Sequence, residues 1–193
     1  MTNNRSFDII KLTKPNIKGA CHPMNNYTKI INQMKEKIVK FSKNISKDLS
    51  IPNRKFILNI IYGLISSSSC YLSEIARKLN EDITLKKVVE RLSNNLANFD
   101  KEKRDYVWNS YIDNIKGKID DNTVFCFDPG DLGKKHSTKL ENLDLIKDGS
   151  TGAFINGYKM VEVAALTKKE KLPIPVYSSL YSTKEEDFIS END

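Results

Sequence analysis

The feature that most constrains this chain is a change of period at Asp120. Before it, apolar residues recur every three or four positions, as on one face of a helix; after it come short β-branched and aromatic runs that suit strands. Ile30, Ile31, Met34, Ile38 and Phe41 set the helical period, which starts at about Tyr27. Ser50-Ile51-Pro52-Asn53 interrupts it, because proline disfavours a helical residue before it. A second helix is expected from about Asn53, with Phe56, Ile57, Ile60, Ile61, Leu64 and Ile65 on its stripe. The serines at 66–69 loosen the chain by competing for backbone hydrogen bonds. A third, short helix carries Leu72, Ile75, Ala76 and Leu79, with Ser73 as its N-cap. Thr84 is expected to cap a fourth, with Leu85, Val88, Val89, Leu92 and Leu96 on one face. A fifth, over about 101–119, aligns Trp108, Ile112, Ile115 and Ile119.

Beyond Asp120, strands are expected at 123–127, 158–166 and 174–180, and a helix-like acidic segment at 183–188. The fold class is therefore α+β: an all-α region followed by three strands. Three strands with one face uncovered make a poor stopping point, which suggests an incomplete domain. The expected division is a flexible arm over 1–26, a helical region over 27–120 and a strand region over 121–193.

Charge follows the same division. Residues 1–120 hold 22 Lys+Arg and 12 Asp+Glu, whereas 121–193 hold 9 and 13. A basic first part suits a polyanion partner, although a solvated lysine surface gives the same count. The longest apolar run, 56–65, is broken by Asn59 and Gly63 and is too short to span a bilayer, so no membrane partner is expected. The first twenty residues lack the apolar core of a signal peptide, which points to the cytoplasm. Cys21, Cys70 and Cys126 are too far apart for a metal-ligand pair, and are read as reduced, mostly buried thiols. Cys21-His22 has no second ligand pair in the chain and is set aside as a metal site.

Two segments carry candidate chemistry. The third and fourth helices, joined by a short polar turn, fit a helix-turn-helix. Lys87, Arg91, Asn94 and Asn95 lie off the apolar stripe of the fourth, with Lys86 beside it. Lysine and arginine suit phosphates, and asparagine can bond an adenine edge twice. An ordinary helical hairpin with a solvated face has the same pattern. The second segment is Asp128, read as standing where the first strand exits into Pro129-Gly130-Asp131. A carboxylate there can hold Mg²⁺, which prefers hard oxygen donors, or can simply start a turn. Lys134-Lys135-His136 can touch a phosphate backbone or form an exposed basic loop. His136 lacks a partner for a general-base role. Asp148-Gly149-Ser150-Thr151-Gly152 lacks the Gly-Lys-Ser/Thr ending of a phosphate loop and is read as a turn into a strand.

Phe127-Asp128-Pro129-Gly130-Asp131-Leu132-Gly133-Lys134 resembles the first catalytic segment of bacterial insertion-sequence transposases with a DDE triad. Glu141-Asn142-Leu143, Lys147-Asp148-Gly149-Ser150-Thr151-Gly152, Asn156-Gly157-Tyr158 and Leu180-Tyr181-Ser182 extend the similarity across roughly 120–190. The resemblance implies an RNase H-like α/β domain of which this chain holds the first strands. It also implies a Mg²⁺-dependent site and the cutting and joining of double-stranded DNA at transposon ends. By position, Asp128 resembles the first triad aspartate and metal ligand, Asp131 a recurrent acidic position outside the triad, and Lys134 a DNA contact. The family's second aspartate follows a fourth strand and its glutamate lies on a later helix; none of Glu185, Glu186, Asp187, Glu191 and Asp193 is assigned to either. The expectation is a truncated transposase, inactive alone, that pairs with a complementary transposase chain or with itself. The alternatives are a helix-turn-helix regulator and a non-catalytic inhibitor of transposition.

Overall fold

A computed structural model describes residues 24–190 apart from Lys169 and Lys171, with side chains from Thr28 onward. The expected arm over 1–26 and Cys21-His22 fall almost wholly outside the described residues. Five α-helices precede a four-stranded antiparallel sheet, so the chain is α+β. It divides into two compact units, one through Asn114 and one from Ile115.

The first unit holds α1 (Met24–Ile45), α2 (Ile51–Ser67), α3 (Leu72–Leu79), α4 (Leu85–Ala97) and α5 (Lys101–Ile115). Its core takes Phe56, Ile57, Ile75, Leu79, Val88 and Leu92 from the stripes read in the sequence and adds Ile45 and Phe99, whereas Ile30, Ile31, Met34 and Phe41 of the first stripe stay exposed. Phe56 and Phe99 pack with ring centroids 5.5 Å apart. Gly63 lets α3 approach α2 closely, since a Cβ there would stand 2.3 Å from Ile75 Cγ2. Tyr106 of α5 donates its hydroxyl to Asp48 Oδ2 at 2.9 Å and accepts from the Asp48 N–H at 3.2 Å.

Several helix ends differ from the sequence reading. Proline is tolerated in a first turn, where its missing N–H has no helical partner anyway, so α2 begins at Ile51 rather than Asn53. Tyr71, not Ser73, occupies the N-cap position of α3, which puts Ser73 inside the helix. Thr84 does occupy the N-cap position of α4, but its side chain makes no capping bond. The fifth helix stops at Ile115 and tightens into a 3₁₀ turn, Lys116–Lys118, instead of running to 119.

The second unit is a sheet built round one long strand. The strands are β1 (Val124–Gly133), β2 (Asp144–Lys147), β3 (Phe154–Leu166) and β4 (Ile174–Tyr181). β1 pairs along β3, Val124 opposite Leu166 and Gly133 opposite Gly157. The other side of β3 takes β2 first and then β4. The sequence reading missed β2 and ended β1 at Phe127. Proline cannot serve a central strand, but β1 and β4 are edges, where Pro129 and Pro175 are tolerated. The acidic segment 183–188 is a pair of turns, not a helix. Asp144 takes the Thr183 N–H and hydroxyl at 3.0 and 2.6 Å, and Phe188 folds back to stack on Tyr181 at 6.3 Å.

Candidate functional site

Side chains alternate across a strand, so the pairing register decides what Asp128 faces. Asp128 stands opposite Glu162, and Glu162 opposite Ser178. Cys126, Asp128, Met160, Glu162, Ala164, Ser178 and Leu180 thus share one face of the sheet. Phe125, Phe127, Asp131, Lys159, Val161, Val163 and Tyr177 share the other. Asp128 is therefore mid-strand, not at a strand exit, and the turn reading of Asp-Pro-Gly is wrong because the strand continues through it. Asp131 points to the opposite face, across from Lys159.

Asp128 and Glu162 are both exposed, and neither has an ion pair among the described residues. Like charges directly opposite one another destabilise a ladder. Two carboxylates in that arrangement present hard oxygen donors to a cation, and Mg²⁺ commonly takes one or two of them and fills its octahedron with water and phosphate. The donor chemistry therefore fits a single ion. It does not fit an ion pair, because no group of three or more His, Cys, Asp or Glu residues lies together among the described residues. Cys126 and Cys70 are exposed, against the expectation of buried thiols: one sits on an open sheet face and the other in the loop before α3.

The motif residues around Asp128 hold the fold in place. A Cβ at Gly157 would meet Leu132 O at 2.6 Å and Ile146 Cδ1 at 2.4 Å, so only glycine fits where β1, β2 and β3 crowd together. Asn156 accepts the Lys134 N–H on its backbone carbonyl at 2.6 Å and donates its side-chain amide to Ser137 O at 3.1 Å. Tyr158 donates its hydroxyl to Glu141 O at 2.5 Å. These three bonds pin the 134–141 loop and keep Lys134, half-buried, at the end of β1. Asp148 closes the β2–β3 hairpin. One carboxyl oxygen accepts the Ser150 N–H and hydroxyl at 2.9 and 2.6 Å, and the other accepts the Thr151 hydroxyl at 2.8 Å. These bonds, the Ser150 hydroxyl foremost, hold its carboxyl at about 2. Asp144 was not singled out in the sequence. It is buried, and the Thr183 hydroxyl keeps its carboxyl below the usual range against the opposing effect of burial. Its signal is the inverted alternation of Asp144-Leu145-Ile146-Lys147, with Asp144 and Ile146 inward and Leu145 and Lys147 outward.

On the helical unit, α3 ends at Asn80 in the left-handed conformation, φ 48°, and five residues lead into α4. Ile75, Leu79, Val88 and Leu92 bury the facing sides of the two helices. Lys86, Lys87 and Asn94 are exposed and Asn95 is half-buried. Lys87, Arg91 and Asn94 follow one another at helical spacing along one face. Arg91 is not free on that face: its guanidinium pairs with Glu81 of the α3–α4 turn, and its Nε is buried without a partner. Lys86 and Lys87 have no ion pair among the described residues. Among the described helices, no single one is long and apolar enough to cross a membrane. Comparison with models of protein families, with curated proteins and with solved structures finds no match to this chain.

Proposed function

We propose that this chain is the DNA-binding and strand-forming first part of a DDE transposase. The helical unit holds double-stranded transposon-end DNA on the α4 face, with Lys86 and Lys87 on phosphates and Asn94 and Asn95 at base edges. Arg91 adds its charge to that face while bracing the turn. In the sheet unit Asp128 is the first metal-holding carboxylate of an RNase H-like site, and Lys134 lies toward the phosphate backbone. A bound Mg²⁺ would activate a water or a 3′-hydroxyl and stabilise the leaving oxygen of a phosphodiester. Asp128 and Glu162 hold charge for that ion on an open strand, and strand cutting needs further carboxylates from outside the described residues.

The observation that carries the reading is Asp128 itself. The segment resembling the family's first catalytic motif forms one strand, and that strand sets Asp128 against a second unpaired carboxylate. The test uses duplexes from the ends of the genetic element that encodes the chain, against shuffled duplexes. Preference for the end duplexes, weakened in Lys87→Ala with a salt slope lower by about one, is expected. Equal binding to both duplexes overturns the proposal.

A second reading, a helix-turn-helix regulator, is favoured by one observation: the helical unit has a core of its own. The two part at Asp128. A regulator keeps its promoter binding in Asp128→Ala and gains nothing from added chains. The transposase part, supplied with a chain carrying the later carboxylates, nicks end DNA with Mg²⁺ and loses this in Asp128→Ala.

A further inference from the structure

α4 carries three basic side chains, Lys86, Lys87 and Arg91, and the fold treats them differently. Lys86 and Lys87 are exposed and have no ion pair among the described residues. Arg91 is held. Its Nη2 donates to Glu81 Oε1 in the turn before α4, and its Nε is buried with no partner. Nη1 makes no hydrogen bond among the described residues and, unlike Nε, is not sealed from solvent. The Arg91 side chain is 37% exposed and that of Glu81 28%. The guanidinium is therefore fixed through Nη2 and open at Nη1, on the face it shares with Lys87 and Asn94.

We propose that Arg91 reads a guanine edge in the major groove, and that Glu81 is the positioning residue that keeps it for that task. The inference rests on the DNA reading of α4 and adds to it a base that the helix selects. The ion pair decides between a base and a phosphate. Glu81 already offsets much of the Arg91 charge, so a phosphate gains little counterion release from Arg91 unless the pair first breaks. A neutral acceptor calls for donors rather than net charge. Guanine presents two acceptors, O6 and N7, and a guanidinium meets them with two N–H groups at a fixed spacing. Nη1 and the second hydrogen of Nη2 are the donors left for it. Adenine sets its N6 amino group where O6 stands, so donor meets donor. The pair also orders the side chain before DNA arrives, so less freedom is lost on binding. Arg91 precedes Asn94 by three residues, about 4.5 Å along a helix axis. At about 3.4 Å per base pair, the guanine lies about one or two pairs from the base that Asn94 contacts.

The test is selection of sites from a pool of random-sequence duplexes by the whole chain, followed by titration of the selected duplex. A site with a fixed guanine is expected, and exchanging that guanine for adenine should weaken binding about fivefold to a hundredfold. Arg91→Lys keeps the charge but not the fork, and is expected to open that position to all four bases while the rest of the site stays fixed. Glu81→Gln frees Arg91 for phosphates, so the guanine preference should fall and the salt slope steepen by about one. A pair that only braces the turn gives another pattern: both variants bind every duplex more weakly, with base preference unchanged. That result overturns the proposal, as does a guanine that stays fixed in Arg91→Lys or a selected site without guanine. Enrichment of no site at all removes the DNA reading and this inference with it. An Arg91-dependent guanine in a site foreign to the ends of the encoding element upholds this inference and overturns the transposase reading alone.

Discussion

Gly157 is where three strands meet, and a single methyl group there tests the register. Its Cβ would stand 2.6 Å from the Leu132 carbonyl oxygen, which is backbone and cannot swing aside. Gly157→Ala is expected to destabilise the sheet unit by about 1–3 kcal/mol, as overpacking does, read as loss of amide protection in β1–β3 by hydrogen exchange. Asp148 carries a pH dependence of known sign. Its folded carboxyl lies at about 2, below its unfolded value, so its contribution to the hairpin is complete above roughly pH 4 and is lost as the pH falls through about 2. Protection of the Ser150 and Gly152 amides should fall over that window, and Asp148→Asn should flatten the dependence. Asp144→Ala leaves the Thr183 hydroxyl without its acceptor and is expected to release the segment after β4 at a cost of about 1–3 kcal/mol. The sequence marked Asp148 as turn chemistry, because Asp, Gly, Ser and Thr act locally. It did not mark Asp144, whose partner lies 39 residues away.

At the scale of elements, the α3–α4 pair separates two roles that look alike in the sequence. Lys87 and Arg91 are both basic and share a face, yet Arg91 is bound to Glu81 and Lys87 is not. Lys87→Ala should therefore weaken DNA binding without moving the thermal midpoint. Arg91→Ala should lower both, because it also unties the turn; its partly exposed ion pair alone is worth no more than about 1 kcal/mol. Thermal unfolding alongside a binding titration distinguishes them. Gly63→Ala is expected to cost about 1–3 kcal/mol by driving a methyl into Ile75 at the α2–α3 crossing. The helices were legible because periodicity is a local property. Their buried stripes, from Phe56 to Leu92, coincide with the apolar positions read from the sequence. Strand limits were less so. Pro129 reads as an end only until β1 is known to be an edge, and four-residue β2 carries too little pattern to stand out.

At the scale of the whole molecule, the legible part is the order of elements: five helices, then an antiparallel sheet. The candidate site was half legible. Asp128 was visible as a motif residue, but its neighbour Glu162 is 34 positions away and becomes its partner only through the register of β1 on β3. That register also leaves Phe125, Phe127 and Tyr177 exposed on one face, and Val124, Leu166 and Leu180 on the other. Both faces of the sheet therefore carry apolar side chains open to solvent.

The same long-range pairing has a consequence in time. The helical unit closes on contacts among its own residues, which are made before those of the sheet. β1 then has no partner until β3 has been synthesised, and its first residue, Val124, waits for Leu166. At about 5–20 residues per second that is an interval of several seconds, during which an apolar edge strand leaves the ribosome unpaired. The prolines at 129 and 175 sit on the two strands that flank β3, where a missing N–H spoils the template for pairing with a neighbouring nascent chain.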